Sequence, residues 1–368
     1  MTESEAWLAL NAAELPPRAA LELLDHYGSP EAVIAAGHLA AAAVVRLTQS
    51  ESIRLSAASR REHGRDVERL HRSGVRLVNI REAEYPANLR QIHDPPPLLF
   101  VRGSFLPCDE RAVAIVGTRR VTPYGRLVTE TLARGLAERG ITVVSGLAAG
   151  ADAAAHRGAL SAGGRTIGVL ACGIDVPYPR ETLELREQTA EHGAVMSEVP
   201  LGTPARRHRF AQRNRLVSGL ALAVVVTEAP ERSGALITAE AAAEQGREVF
   251  AVPGSVNSEF SRGTHALLRD GARLVESVDD IVSELALPEV AMPATMPRSR
   301  QAAQAAPAPD LTPDESVILD ALSLQQRHVD EIIQDCHVPA NRASASLLML
   351  ELKGLIRRLP GNMFMRVR

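Results

Sequence analysis

Residues 112–125 read AVAIVGTRRVTPYG, and residues 141–152 read ITVVSGLAAGAD. In each stretch a short, almost entirely apolar run ends at a glycine beside a hydroxyl residue, and a helical pattern follows. Five more apolar runs come later in the chain: TIGVL, AVMSE, LAVVVT, EVFAV and ARLVE. Nearly continuous apolar runs of this length are typical of strands that are covered on both faces. Residues 112–286 are therefore predicted to form an α/β domain built on a doubly wound, mostly parallel sheet.

Helical patterns lie on both sides of this sheet in the sequence. Residues 1–70 have apolar side chains at the spacing of short packed helices, and Ser29 with Pro30 is predicted to begin one of them. Residues 287–310 are rich in Ala, Pro and Gln and lack an apolar period, which predicts a flexible linker. Residues 311–368 contain three amphipathic helical segments and then two β-like runs around a Pro-Gly-Asn turn. That order predicts a winged helix.

The predicted winged helix ends in a basic stretch with a single acid, Glu351. The basic residues from position 340 onward are Arg342, Lys353, Arg357, Arg358, Arg366 and Arg368. Some winged helices bind DNA through such residues, and others bind proteins. The sequence leaves both interpretations open.

The composition argues against several classes of protein. Lys353 is the only lysine among 41 basic residues and follows no GxxxxG segment, so the chain has no P-loop for ATP. No GxG occurs among the 26 glycines, which argues against an NAD or FAD enzyme. The three cysteines lie far apart and form no CxxC pair. We therefore expect neither a cofactor nor a metal site.

The charge and the N-terminal residues indicate where the chain works. The formal net charge of -3 argues against wrapping nucleic acid with the whole surface, although a local basic groove is compatible with it. The first residues, MTESEAWLALNAAELPP, carry acids where a signal peptide needs basic residues. No apolar run approaches the roughly 20 residues that cross a bilayer. A cytoplasmic location without a membrane partner is expected.

Small and hydroxyl residues follow several predicted strands, each just before a helix. The carboxyl ends of parallel strands meet at one edge of a sheet, where helix amino ends form a natural anion site. The candidate phosphate donors at this edge are Gly117, Thr118, Ser145, Gly146, Ser233 and Gly234, with Arg119 adding positive charge. Tight strand-to-helix turns need glycine in any case, so a purely structural role is the alternative.

The segment TPARRHRFAQRNRLVSGLA (residues 203–221) is the most informative about function. Five arginines stand there within ten residues that contain no acid: Arg206, Arg207, Arg209, Arg213 and Arg215. The rest of the chain keeps 36 of the 41 basic residues against 44 acidic ones, so these five predict a positive patch on an acidic body. Residues three or four positions apart lie on one face of a helix. On this segment that spacing predicts one shared face for Arg207, Phe210, Arg213 and Asn214.

A ring among guanidinium groups suits an unpaired strand of nucleic acid. Arginines hold phosphates, while the ring of Phe210 stacks on a base face that a duplex keeps hidden. Single-stranded nucleic acid is therefore predicted over duplex. In the alternative interpretation Phe210 belongs to the core and the arginines form a solvated helix face.

Asp152 and His156 stand four residues apart in GADAAAHRGA. This spacing would place them on one helix face, as in an acid/base pair or a metal site. Because no second histidine or carboxylate pair lies near, we interpret them as a structural pairing and expect no catalytic residue.

The ordered motifs resemble the DNA-processing protein A (DprA) family over residues 79–285. The matching segments are YPANLRQIHDPPPLLFVRG, GTRRVTPYG, SGLAAGADAAAH, TIGVLACGIDVPYP, GAVMSEVP, RFAQRNRLVSGL, VTEAPERSGALITAEAAAEQGREVFAVPG and THALLRDGARLV. The resemblance implies an extended Rossmann-like core over residues 71–286, preceded by a SAM-like helical domain over 1–70 and followed by a winged helix over 311–368. It also implies a homodimer without enzymatic activity that binds single-stranded DNA and loads the RecA recombinase on it during natural transformation.

In proteins of this family the glycine-arginine loop and the basic segment bind DNA. The resemblance carries this role onto Gly117, Arg119, Arg207, Phe210, Arg213, Asn214 and Arg215. The chain departs from the family pattern nearby, at Pro123, Ala151, Ala211 and Ala235. The last departure removes a hydroxyl group from the candidate anion site.

Two other functions compete with this one. A nucleotide phosphoribohydrolase on a related fold would also bind phosphate at the sheet edge, but such enzymes carry GGxGTxxE. Here the segment reads SGALITAE, with one residue between Thr238 and Glu240. In the second alternative the winged helix reads duplex DNA and the chain is a regulator.

Overall fold

The computed structural model describes residues 1–286, 311–323, 326–359 and 361–366. The predicted linker, residues 287–310, lies outside these ranges. The described residues fall into two compact units, a larger one with an N-terminal helical region and a large sheet, and a smaller one with the C-terminal helices.

Short amphipathic helices form the N-terminal part of the larger unit. They are α1 (Glu3–Ala12), α2 (Pro17–Tyr27), α3 (Pro30–Val44), α4 (Gln49–Arg60) and α5 (Gly64–Arg72). Thr2 and Thr48 cap α1 and α4 through capping boxes, which satisfy amide groups that a helix N-terminus leaves free. Ser29 accepts a hydrogen bond from the N–H of Ala32 and Pro30 is the first residue of α3, as predicted. Trp7 lies in the buried core of this region.

The seven apolar runs quoted above form β3 to β9 of the central sheet, which is the α/β architecture that the sequence predicts; β1 and β2 are additional strands that it did not predict. Its strands are β1 (Val75–Asn79), β2 (Leu98–Gly103), β3 (Ala112–Val116), β4 (Thr142–Ser145), β5 (Thr166–Val169), β6 (Ala194–Ser197), β7 (Ala223–Val226), β8 (Glu248–Ala251) and β9 (Arg273–Leu274). Within the described ranges their order is β1-β2-β6-β5-β4-β3-β7-β8-β9. The strands from β3 to β9 are parallel, whereas β2 pairs antiparallel with both β1 and β6.

Helices cover both faces of this sheet. They are α6 (Ala87–Arg90), α7 (Pro123–Glu138), α8 (Ala151–Ser161), α9 (Leu183–His192), α10 (Arg207–Gly219), α11 (Gly234–Glu244), α12 (Arg262–Arg269) and α13 (Val278–Glu284). Apolar residues of α7, α8 and α13 pack on one face, and those of α10 and α11 pack on the other. Burial on both faces explains why these strands are apolar along their whole length.

The smaller unit has the elements of a winged helix. These are α14 (Pro313–Ala321), β10 (Arg327–His328), α15 (Val329–Cys336), α16 (Ala340–Leu352), β11 (Ile356–Leu359) and β12 (Met363–Arg366). The strands pair in the order β10-β12-β11, and Ile318, Ile332 and Leu347 are among the residues of the unit's own core. Across the described parts of the chain, no helix is both long enough and apolar enough to span a membrane.

Candidate nucleic-acid interface

The candidate interface lies where the parallel strands end. The loops after β3, β4, β5 and β7 meet at this carboxyl edge, and α10 runs beside them. The guanidinium of Arg213 on α10 donates to the carbonyl of Val169 at the end of β5. The amide of Asn214 donates to the carbonyl of Gly234, 3.0 Å away, at the start of α11. These two side chains therefore fix α10 against the strand ends.

Arg119 and Phe210 form a contact at this edge that is partly open to solvent. The Arg119 guanidinium carbon lies 4.4 Å from the centroid of the Phe210 ring, within the range of a cation–π contact. Arg119 is exposed and Phe210 is half-buried. The sequence-based interpretation that buries Phe210 in the core is therefore wrong, because part of its ring faces solvent beside a cation.

The loop that carries Arg119 is held from two sides. The N–H of Thr118 donates to the carbonyl of Glu228 after β7 (2.7 Å), and the carbonyl of Thr118 accepts from the N–H of Ala151 at the start of α8 (3.1 Å). Gly150, with φ of +85°, lies directly against this loop. A Cβ atom there would lie 2.4 Å from the Thr118 carbonyl oxygen, so the close approach requires glycine.

Arg206 and Arg207 are the exposed arginines at the start of α10. Within the ranges that the structure describes, neither of them forms an ion pair, and the same is true of Arg119. Their charge is thus available to phosphate groups.

Arg213 and Asn214 are buried, unlike Arg207 on the same helix. The guanidinium of Arg213 lies so close to Gly146 that a Cβ atom on that glycine would be 2.0 Å from its nitrogen. Burial raises the pKa of Asp152, and the positive charge of Arg213 opposes that rise. The four residues predicted to share one helix face differ in exposure: Arg207 is exposed and Phe210 half-buried, whereas Arg213 and Asn214 are buried and carry internal hydrogen bonds.

The hydroxyl groups predicted to donate to phosphate have partners inside the fold. Ser145 is fully buried and donates to the carbonyl of Ile115, 2.6 Å away. Thr118 is buried and its hydroxyl accepts from the N–H of Arg120. Ser233 caps α11 by accepting from the N–H of Ala235. These contacts support a structural role for the three hydroxyls. Gly117 is closely packed at the edge, and Gly234 is exposed at the first position of α11.

Arg209 and Arg215 leave α10 on the opposite side, toward the N-terminal helices. Arg209 pairs with Glu14 at 2.8 Å, and Arg215 pairs with Asp94 at 3.1 Å and with Glu198 at 2.5 Å. A cavity of about 550 Å³ lies on this side, lined by residues of both regions. The positive patch is therefore smaller than the sequence predicts, because acids distant in sequence neutralise two of its five arginines.

His156 is fully buried and its Nδ1 lies 2.7 Å from the hydroxyl oxygen of Thr166. Burial, and after it the charge of Arg213, lower the pKa of His156 to about 3. The four-residue spacing suggested Asp152 as the structural partner of His156. The partner in the structure is instead Thr166. Among the described residues, no group of three or more His, Cys, Asp or Glu side chains could hold a metal ion.

Comparison with known proteins identifies the family. The family model described as DNA recombination-mediator protein A matches residues 76–286, and the model of the DprA winged helix domain matches residues 302–362. The chain belongs to the DprA family. It is similar to DNA processing protein DprA of Bacillus subtilis, with 43% identity over 213 residues, or 58% of this chain and 72% of that protein. It is also 43% identical to a putative DprA of Mycobacterium tuberculosis over 297 residues, or 76% of this chain and 74% of the relative.

Two solved DprA structures have the same fold. DprA from Streptococcus pneumoniae superposes with a TM-score of 0.67 at 32% identity, over 77% of this chain and 98% of that one. DprA from Helicobacter pylori superposes with a TM-score of 0.52 at 32% identity, over 58% of this chain and 97% of that one. The Helicobacter structure is described as showing a unique single-stranded DNA binding mode.

The DprA winged helix presents few free cations on α16. Arg342 pairs with Asp314 at 2.5 Å, and Lys353 pairs with Glu315 at 2.8 Å. Leu348 and Met349 of α16 are exposed instead. In the following hairpin Arg357 and Arg358 are exposed, and Arg368 lies outside the described residues. DNA binding and protein binding by this winged helix both stay predictions.

Tyr178 lies at this edge and was not among the predicted site residues. It follows β5, it is 38% exposed, and its ring centroid lies 5.9 Å from that of Phe210. The segment GIDVPYP resembles the family, but no spacing rule connects position 178 to position 210. Only the folded chain brings the two rings together.

Proposed function

We propose that this DprA-family protein binds single-stranded DNA in a groove along the carboxyl edge of its sheet. The observation that carries the proposal is the exposed Arg119 guanidinium over the half-buried Phe210 ring, at 4.4 Å. A partly exposed ring can stack on a base, while Arg119 and Arg207 contact the neighbouring phosphates. The single-strand binding described for the Helicobacter relative supports this assignment.

The groove differs in composition from the predicted one. Arg119, Arg207 and Phe210 form its exposed surface, and Arg206 extends the positive charge at the start of α10. Arg213, Asn214, Thr118 and Ser145 hold that surface from behind through internal bonds. Arg215 contributes to the stability of the fold through its ion pairs with Asp94 and Glu198.

Membership of the family supports a proposal for the biological role. We infer that the protein protects incoming single-stranded DNA and loads RecA on it in the cytoplasm during natural transformation, without catalysing a reaction. We also infer a homodimer, because two grooves on one strand raise the affinity through effective concentration. The domain boundaries of this proposal are residues 1–70, 71–286, 287–310 and 311–368.

Binding of a labelled oligo-dT and of a duplex of equal length, followed by fluorescence anisotropy, tests the proposal. The wild-type protein is expected to prefer the single strand, and Phe210→Ala is expected to lose about 1 to 3 kcal/mol of binding free energy. Arg119→Ala should weaken binding of the single strand as well. Arg134→Ala, an exposed arginine on α7, serves as the control and should bind like wild type. Equal affinity for duplex and single strand, or an unaffected Phe210→Ala, would contradict the proposal.

A further inference from the structure

Tyr178 and Phe210 present two rings at the carboxyl edge in a non-parallel arrangement. Their centroids are 5.9 Å apart and their planes are inclined by 62°. Tyr178 is 38% exposed and Phe210 is half-buried, so both rings offer surface to a ligand.

The loop that carries Tyr178 is braced on both sides of the ring. Before the ring, the Asp175 carboxylate accepts from the N–H of Gly202 at 2.8 Å and pairs with Arg69 of α5 at 2.7 Å. Val176 accepts from the guanidinium of the buried Arg186 at 2.9 Å. These contacts hold the loop that carries the ring before any ligand binds, which lowers the entropy that binding costs.

A further hydrogen bond holds the loop on the C-terminal side of Tyr178. The hydroxyl of Thr182 donates to the carbonyl of Leu147 after β4, at 2.9 Å. Leu147 belongs to the same loop as Gly146, against which the Arg213 side chain of α10 packs. The Tyr178 loop and the helix that carries Phe210 are therefore both tied to the loop that follows β4.

We propose that Tyr178 is a second base-contacting residue, and that the two rings together select strands whose neighbouring bases are unstacked. This inference rests on the proposed function, since it assumes that the edge binds single-stranded DNA. Neighbouring bases in a stacked strand lie parallel, whereas surfaces inclined by 62° receive two bases only after these have separated. Purine runs stack more strongly than pyrimidine runs, so the strand that separates at least cost is pyrimidine-rich.

Competition between sequences tests this selection with the full-length protein. Wild type should bind oligo-dT several-fold more tightly than oligo-dA of equal length. Tyr178→Ala should bind oligo-dT about tenfold more weakly and bring the ratio of the two affinities toward one. Tyr178→Phe should stay within about twofold of wild type, because the ring is retained. Tyr27→Ala, a tyrosine of α2 outside the edge, is the matched control.

Two further measurements separate base contact from other roles. Tyr178→Ala should leave the slope of log affinity against log salt unchanged, because a ring releases no counterions, whereas Arg119→Ala should reduce it. Photocrosslinking of wild-type protein to an oligonucleotide with 5-iododeoxyuridine should modify both Tyr178 and Phe210. This readout needs no variant and stands even where Tyr178→Ala fails to fold.

The outcomes distinguish this inference from the function on which it rests. If Phe210→Ala weakens binding while Tyr178→Ala matches wild type, or if Phe210 crosslinks and Tyr178 does not, only the inference is overturned. Equal wild-type affinity for oligo-dT and oligo-dA also overturns it. Failure of wild type to bind any single strand overturns the proposed function itself.

Discussion

Behind the exposed residues of the groove, single buried side chains keep its loops in place. His156 illustrates this, because its ring bridges to Thr166 on β5 from α8 and is fully buried. Burial and the nearby charge of Arg213 keep its pKa near 3 in the folded protein, against 6.5 in an exposed histidine. The folded state thus holds a neutral imidazole at neutral pH and resists its protonation.

This difference in pKa predicts how stability depends on pH. Because the unfolded chain binds the proton first, stability that is present above about pH 6.5 is lost as the pH falls toward about 3. Between pH 7 and pH 5 the loss from His156 should be about 2 kcal/mol. Urea unfolding of wild type and His156→Gln at both pH values measures it. The variant should show the smaller difference, and parallel profiles would show that His156 does not contribute.

Gly150 is the backbone counterpart of this buried side chain. Gly150→Ala should lower the free energy of unfolding by at least about 2 kcal/mol, because it adds backbone strain and a clash with the Thr118 and Arg119 carbonyls. Since the clash displaces the loop of Arg119, affinity for oligo-dT should fall as well. Gly163→Ala, at φ of +69° with no atom within 4 Å of the new Cβ, should cost about 1 kcal/mol and leave DNA binding unchanged. Equal effects of the two variants on binding would contradict the argument.

At the scale of one element, α10 divides its arginines between two tasks. Arg207 is exposed beside Phe210, Arg213 holds the strand ends, and Arg215 pairs with acids on the opposite side. At 3.6 residues per turn Phe210 lies within about 60° of Arg207 around the helix, whereas Arg215 lies about 140° from Phe210 and so projects from a different side. One side of this basic helix is therefore exposed, and the other side is held by ion pairs with acids from distant segments.

The division predicts the salt dependence of binding. If the three arginines assigned to the proposed groove, Arg119, Arg206 and Arg207, are the ones that contact phosphate, the slope of log affinity against log salt should be about -2, at about -0.7 for each contact. All five arginines of the basic segment would give about -3.5. Titrations of oligo-dT binding across salt concentrations decide between these values.

Single substitutions on α10 test the same division. Arg207→Ala should reduce the magnitude of the slope by about 0.7 and leave the melting temperature unchanged. Arg215→Ala should leave the slope unchanged and lower the free energy of unfolding by about 2 kcal/mol, because it strands the partly buried Glu198. A reduced slope for Arg215→Ala would mean that this arginine meets phosphate after all.

At the scale of the whole molecule, the proposed groove depends on the larger unit alone. Its residues come from the loops after β3 and β5 and from α10, all between positions 117 and 215. The winged helix has its own core, and its exposed residues include Leu348 and Met349 of α16 and Arg357 of the hairpin. The two units therefore have different surfaces to offer to partners.

Truncation tests this separation of roles. A chain that ends at residue 310 should keep most of its affinity for oligo-dT, within about threefold, because every residue of the proposed groove is retained. Anisotropy with the full-length and truncated proteins measures the change, and circular dichroism checks that the truncated chain is folded. Near-complete loss of binding by a folded truncated chain would favour the winged helix as the DNA reader.

The sequence by itself determined the α/β class, seven of the strands, the capped helix at Ser29, the winged helix and the family. It could do so because these features depend on local periodicity, capping and turn residues, which are written in neighbouring positions. It missed β1 and β2, because the antiparallel strands carry no crossover helix to mark them. The resemblance of its motifs to the family also predicted that Arg119, Arg207 and Phe210 belong to one DNA-binding site.

The tertiary structure alone decided which charges are free and which rings meet. Arg209 and Arg215 look identical to Arg207 in the sequence, yet Glu14, Asp94 and Glu198 reach them from distant segments. Tyr178 reaches Phe210 across 32 positions because parallel strands end at one edge of the sheet. Ion pairing and ring contact depend on distances of a few ångström between segments, and a linear pattern carries no information on those distances.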